Sequence, residues 1–220
     1  MRTEHHISKS TLHDYAAGTL CEALCVVAAS HLAWCRECRK VVETAAKLHR
    51  RPQDASKEPL PGEPARHTQT ALKAMDRQPA TTELADGETS DFGLPLPLAL
   101  RLDGRSLEDI AWRKVFPGVA ACSLELTSGA AGQLRLVRIA PGKALPEHGH
   151  GGGELSLVLR GAYRDQLGRF TIGDIAELDG TAVHRPVAED AGPCICLVAG
   201  ETPVHYRSWL GRIWQRLTGV

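Results

Sequence analysis

The chain has 220 residues, with 26 Lys plus Arg balancing 26 Asp plus Glu and an apolar share of 43%. A formal charge of zero argues against a nucleic-acid-binding surface, which needs a basic surplus, and the length allows one large domain or two small ones. The leader MRTEHHISKSTLHDYAAG has neither an apolar stretch nor a small-residue cleavage site, so it does not read as a secretory signal.

The longest apolar stretch, Ala23 to Trp34, is 12 residues, short of the roughly 20 that cross a bilayer. A cytoplasmic protein with no membrane partner is expected. Seven cysteines, an odd number without an export signal, point to reduced thiols and metal ligands rather than disulfides.

The front of the chain predicts helices. Ser10 or Thr11 would cap a first helix carrying Leu12, Tyr15 and Ala16, ending at Gly18. Thr19 and Glu22 have the spacing of a capping box for a buried helix, ALCVVAASHLAW. Behind it, CRECRKVVETAAKLHRR places Val41, Val42, Ala45 and Leu48 at helical spacing with a basic opposite face.

Residues 52–66 are rich in Pro, Glu and Gly and read as a linker. Residues 67–78, HTQTALKAMDRQ, carry Ala71, Leu72 and Met75 on one side and predict an isolated amphipathic helix.

From about residue 92 the texture is strand-like. GQLRLVRIAPG, ELSLVLRGAY, GRFTIGDIAEL and CICLVAG are short β-rich runs between Gly and Pro, as in an antiparallel barrel or sandwich. Cys194 and Cys196 alternate onto one face of CICLV and read as strand core, as do Cys21 and Cys25 in the apolar helix. The tail HYRSWLGRIWQRL returns to helical spacing and predicts a helix laid on the barrel. The expected fold is therefore α+β with two domains: residues 1–85 helical, 86–91 a linker, 92–220 the β-domain with its C-terminal helix.

Two constellations carry chemistry. In HLAWCREC, His31, Cys35 and Cys38 are spaced four and three, which at about 100° per residue puts all three on one helical face. A closed zinc site takes four ligands; His5 and His6 upstream are candidates for the fourth, and His13 a weaker one. The second constellation is His148, His150 and Glu154, with His184 brought back by a later strand and turn. Three imidazoles and a carboxylate suit zinc or another divalent transition metal such as iron, manganese or nickel.

The spacing G-x5-H-x-H-x3-E-x6-G from Gly142 to Gly161 resembles the first cupin motif without a gap. The second cupin motif is met in part: Gly173 and His184 are in place, Asp179 and Thr181 stand where Pro and Gly are usual, and Ala188 replaces Asn.

Taken together, "HH" near the start, "GTL" before a helix, H-x-x-x-C-x-x-C and a following cupin make the chain resemble the ChrR-type zinc anti-sigma factors over nearly its full length. The resemblance implies zinc on His6, His31, Cys35 and Cys38 of a four-helix anti-sigma domain, with helix 67–78 as the fourth helix. It further implies a 1:1 complex with a group IV (ECF) sigma factor, release under singlet oxygen or related oxidants sensed through the cupin, and no enzymatic activity. A cupin enzyme, a dioxygenase or isomerase with an added zinc domain, is the competing reading; a DNA-binding module built on the basic face of residues 36–51 lacks the C2H2 spacing.

Overall fold

Ser8, Cys21 and Cys35 set where the front helices begin and end. In the computed structural model, which describes residues 3–49, 89–202 and 205–206, α1 runs Lys9–Ala17. Its cap is Ser8, whose side chain accepts from the Thr11 N–H, and not Ser10 or Thr11 as expected. Gly18 closes it as anticipated, in the left-handed conformation at φ 72° that glycine adopts without penalty.

The second helix, α2, runs Glu22–Trp34 from Cys21, which gives no side-chain cap. The expected Thr19–Glu22 box does not form. The Thr19 hydroxyl donates back to the Asp14 carbonyl, and the Glu22 carboxylate instead accepts from Arg101 and from the Thr127 N–H. A charged long-range partner outcompetes the local bond.

Cys35 leaves the helical region at φ −107° and ψ 102°, so α3, Arg36–His49, starts in a new direction. The buried Arg39 side chain donates to the Leu32 and Ala33 carbonyls that this break would orphan. Ala45 is buried and Val41 and Val42 pack on the core, but Leu48, assigned to the same stripe, is 62% exposed. A helix not anticipated in the strand-like region, α4 at Leu96–Arg101, follows Pro95 and buries Leu98 and Ala99.

The strands are β1 Arg113–Phe116, β2 Val119–Leu124, β3 Gln133–Ile139, β4 His148–Gly149, β5 Glu154–Arg160, β6 Ala162–Asp165, β7 Gly168–Thr171, β8 Ile175–Leu178, β9 Val183–His184, β10 Val187–Ala188, β11 Cys194–Gly200 and β12 His205–Tyr206. They form one six-stranded sheet, β1-β2-β3-β11-β5-β8, and two three-stranded sheets, β10-β6-β7 and β12-β4-β9. Every pair is antiparallel.

The predicted C-terminal helix is corrected at its start. His205 and Tyr206 are strand residues paired with Gly149 and His148; residues 207–220 and the predicted helix 67–78 lie outside the described residues.

The two-residue strand period sorts side chains into two cores. Leu155, Leu157 and Leu159 of β5, Leu134 and Leu136 of β3, and Ile195, Leu197 and Ala199 of β11 face the helices and pack with Leu24, Val27, Ala28 and Leu32 of α2. Val158, Ile139, Cys194 and Cys196 face the other way, with Tyr163, Phe170 and Ala188 of the small sheets. Helices and large sheet thus share one continuous apolar layer. Gly161, ending β5 at φ 71°, is where the chain turns between sheets; a Cβ there would lie 2.5 Å from the Pro193 carbonyl.

Two candidate metal centres

The front cluster draws on the leading peptide and on two helices. His6 precedes α1, His31 lies in the last turn of α2, Cys35 is the break, and Cys38 sits in the first turn of α3. One donor atom from each lies within 4.8 Å of all the others. His6 Nδ1 is 3.2 Å from Cys35 Sγ and 3.6 Å from Cys38 Sγ, and His31 Nε2 is 3.3 Å from Cys38 Sγ. Usual Zn–N and Zn–S lengths give tetrahedron edges of about 3.3–3.8 Å, so the donor set fits zinc in size as well as chemistry.

Each imidazole has a partner for its other nitrogen. His31 Nδ1–H donates to the Gly173 carbonyl at 3.0 Å, and His6 Nε2 faces the Glu37 carboxylate at 3.5 Å. Such outer partners fix tautomer and ring direction at metal sites. The sequence left His5 and His6 as alternatives; the structure separates them. His5 turns away, donates from Nε2 to the Arg169 carbonyl at 3.0 Å and stacks on Phe170 at 4.3 Å. His13 is exposed on α1.

The thiols differ. Hydrogen bonds from Cys38, and then from His31 and Thr3, hold the Cys35 thiol below the usual range against opposing burial. The bond to Cys35 and burial push Cys38 up. A cation held by both sulfurs would displace their protons.

The second cluster, His148, His150, Glu154 and His184, likewise brings its donors within 4.8 Å, and all four residues are buried. His148 and His184 are direct register partners across β4 and β9. Glu154 opens β5, opposite Leu178 of β8. His148 Nε2 and His184 Nε2 lie 3.0 Å apart, and His150 Nε2 is 3.4 Å from the latter. Burial and the neighbouring His184 lower His148 to about 4, so near neutrality its Nε2 is a lone pair aimed at the other donors, an arrangement that fits a shared cation.

His148 Nδ1–H donates to the Pro146 carbonyl, His184 Nδ1–H to the buried Asp165 carboxylate at 3.0 Å, and His150 Nδ1–H to Glu154 at 3.0 Å. Where the usual Pro and Gly are missing, Asp179 makes the turn itself. Its carboxylate accepts from the Thr181 N–H and hydroxyl and from the Ala182 N–H.

Glu37 and Asp165 were not foreseen, and Gly173 was marked only as a position of the second cupin motif, not as a partner of His31; these roles arise from chain folding. Cys194 and Cys196 both point toward the second centre's side of the sheet, with sulfurs 3.7 Å apart. Cys21 and Cys25 are only half-buried. Beside the second centre lies a cavity of about 70 Å³ lined by His148, Glu154, His184, Tyr163 and Cys196.

Residues 104–203 match the family description "ChrR Cupin-like domain". The chain is 40% identical over 219 residues to the anti-sigma-E factor ChrR of Cereibacter sphaeroides, covering 98% of each. Its fold is similar to the crystal structure of Rhodobacter sphaeroides SigE in complex with the anti-sigma ChrR, with 36% identity and a TM-score of 0.69 over 90% of this chain and 99% of that one. Matching helices, strands and full-length identity lead to one conclusion: the chain belongs to the ChrR family of anti-sigma factors.

Proposed function

We propose that the chain is a zinc-dependent cytoplasmic anti-sigma factor that holds an ECF sigma factor in a 1:1 complex and releases it under singlet-oxygen-type stress. The full-length likeness to ChrR carries this reading. The converging donors of His6, His31, Cys35 and Cys38 support it further. Zinc held there ties the leading peptide to α2 and α3, which have too little core of their own to be rigid. In this reading residues 1–85 form the anti-sigma domain, 86–91 the linker and 92–220 a closed cupin barrel that senses the oxidant.

His148, His150, Glu154 and His184 would hold zinc or a similar divalent ion, and their imidazoles, with the nearby thiols, are oxidisable. The cavity beside them, about 70 Å³, is far below the roughly 300–1,000 Å³ of small-molecule sites, which favours a regulator over a cupin enzyme.

The test is transcription by RNA polymerase carrying an ECF sigma factor from the same genome. The full chain should suppress it, co-elute with the sigma factor at 1:1 mass, and release it on illumination with a photosensitiser, whereas the His148→Ala chain should suppress but not release. A chain that neither suppresses nor co-elutes with any ECF sigma factor of that genome contradicts the reading.

A further inference from the structure

From the contacts between the front helices and strand β8, we infer that the cupin-like part clamps the front metal site, so that the metal affinity of the Cys–His cluster depends on Gly173, Asp174 and Glu177. This rests on reading that cluster as the zinc site.

The clamp grips the leading peptide on both sides of His6. Asp174 Oδ1 accepts from the Glu4 N–H at 2.7 Å and the His5 N–H at 3.0 Å. The Ile175 N–H donates to the His5 carbonyl. Glu177 accepts from the Ser8 N–H at 2.6 Å, the Ser8 hydroxyl at 2.9 Å and the Thr11 hydroxyl at 2.5 Å. His6 lies between these two anchored points. On the α2 side, the Gly173 carbonyl accepts from the fully buried His31. That bond keeps the proton on Nδ1 and leaves the Nε2 lone pair facing Cys38.

The clamp is in turn built onto the strand that starts with a ligand of the other centre. Gly173 at φ 91° makes the turn into β8. Its N–H donates to the Val158 carbonyl, and the Val158 N–H donates to the Asp174 carbonyl. The same strand begins with Glu154, whose register partner Leu178 follows Glu177 in β8, and the chain then turns at Asp179 toward His184. Strand alternation does the rest: Ala176 faces the inner core, whereas Ile175 faces the helices. A shift of β8 therefore reaches His6 and His31 through a few covalent bonds and short hydrogen bonds. No contact between the two ions is needed.

The test is cobalt substitution of the full chain. Of the two donor sets only the front one includes cysteines, so thiolate-to-cobalt charge transfer in the near ultraviolet reports that site. Asp174→Ala/Glu177→Ala should weaken cobalt binding there by about 10- to 100-fold, the usual effect of losing outer partners. Asp174→Asn keeps an oxygen for the Glu4 and His5 N–H groups but turns its NH2 toward the Thr171 N–H that Oδ2 accepts from, so its loss should fall between wild type and the double variant. If the double variant loses its near-ultraviolet circular dichroism, single Glu177→Ala decides the matter by a smaller shift in the same direction. Unchanged cobalt affinity and band shape in the folded variant overturn the clamp. Absence of the charge-transfer band in the wild-type chain would instead sink the reading of the front cluster as a metal site.

Discussion

His148 and His184 stand directly opposite each other in the β4–β9 ladder and bring their Nε2 atoms to 3.0 Å. Two buried imidazole nitrogens at that distance repel unless a proton or a metal ion lies between them, and the converging His150 and Glu154 donors fit the ion. Asp165, fully buried and bonded to His184 Nδ1, fixes the ring that faces His148. Asp165→Ala should therefore lower metal affinity at this centre by about 10- to 100-fold, read by metal analysis after graded dialysis against chelator.

The two adjacent N-terminal histidines should behave differently. His6→Ala removes a donor of the front cluster and should drop the metal content by one ion per chain. His5→Ala should keep both ions and lose only the contact with Phe170 and the bond to Arg169, about 1 kcal/mol of stability. Metal analysis with thermal melting separates the two.

Glu22 predicts a pH dependence with a definite sign. Burial works against its ionised form, yet hydrogen bonds from Arg101 and Thr127 hold its carboxyl below the usual range. A lowered folded value means the stabilisation is fully present above the ordinary glutamate value of about 4.3 and fades as pH falls through the folded one. The difference in melting temperature between wild type and Glu22→Gln should be constant from neutral pH down to about 5 and shrink below about 4.

Leu157 and Leu48 test the packing. Leu157 is fully buried between α2 and the large sheet, and its replacement by Ala should cost about 2–5 kcal/mol. Leu48, 62% exposed, should cost no more than about 0.5 kcal/mol on replacement by Ala. Denaturant unfolding of the two variants gives both values.

Much of the site was legible because its ligands carry local spacings: His31, Cys35 and Cys38 within one helical junction, and His148, His150 and Glu154 around one glycine turn. The strand period that placed Leu155, Leu157 and Leu159 together was legible for the same reason. What escaped is long-range. The bond from His31 to Gly173 joins residues 142 apart, and Glu177 meets Ser8 across 169; neither leaves a pattern in the chain. Spacing alone left His5 and His6 both open and only the family resemblance pointed to His6, since neighbours in a non-helical peptide point to opposite sides and the folded partners say which side holds the thiols. The Thr19–Glu22 box failed for a related reason: Arg101, 79 residues away, holds the glutamate. The short helix Leu96–Arg101 was hidden by Pro95 at its cap, Pro97 in its first turn and an apolar run too short to show a period.

In the proposed function, metal in the front cluster holds the leading peptide, α2 and α3 in the form that grips the sigma factor. Isothermal titration of a co-genomic ECF sigma factor into the full chain measures this in three states: as purified, stripped by chelator, and refilled with zinc. Tight 1:1 binding, its loss on stripping and its return on refilling are predicted. Equal affinity in all three states would contradict the account.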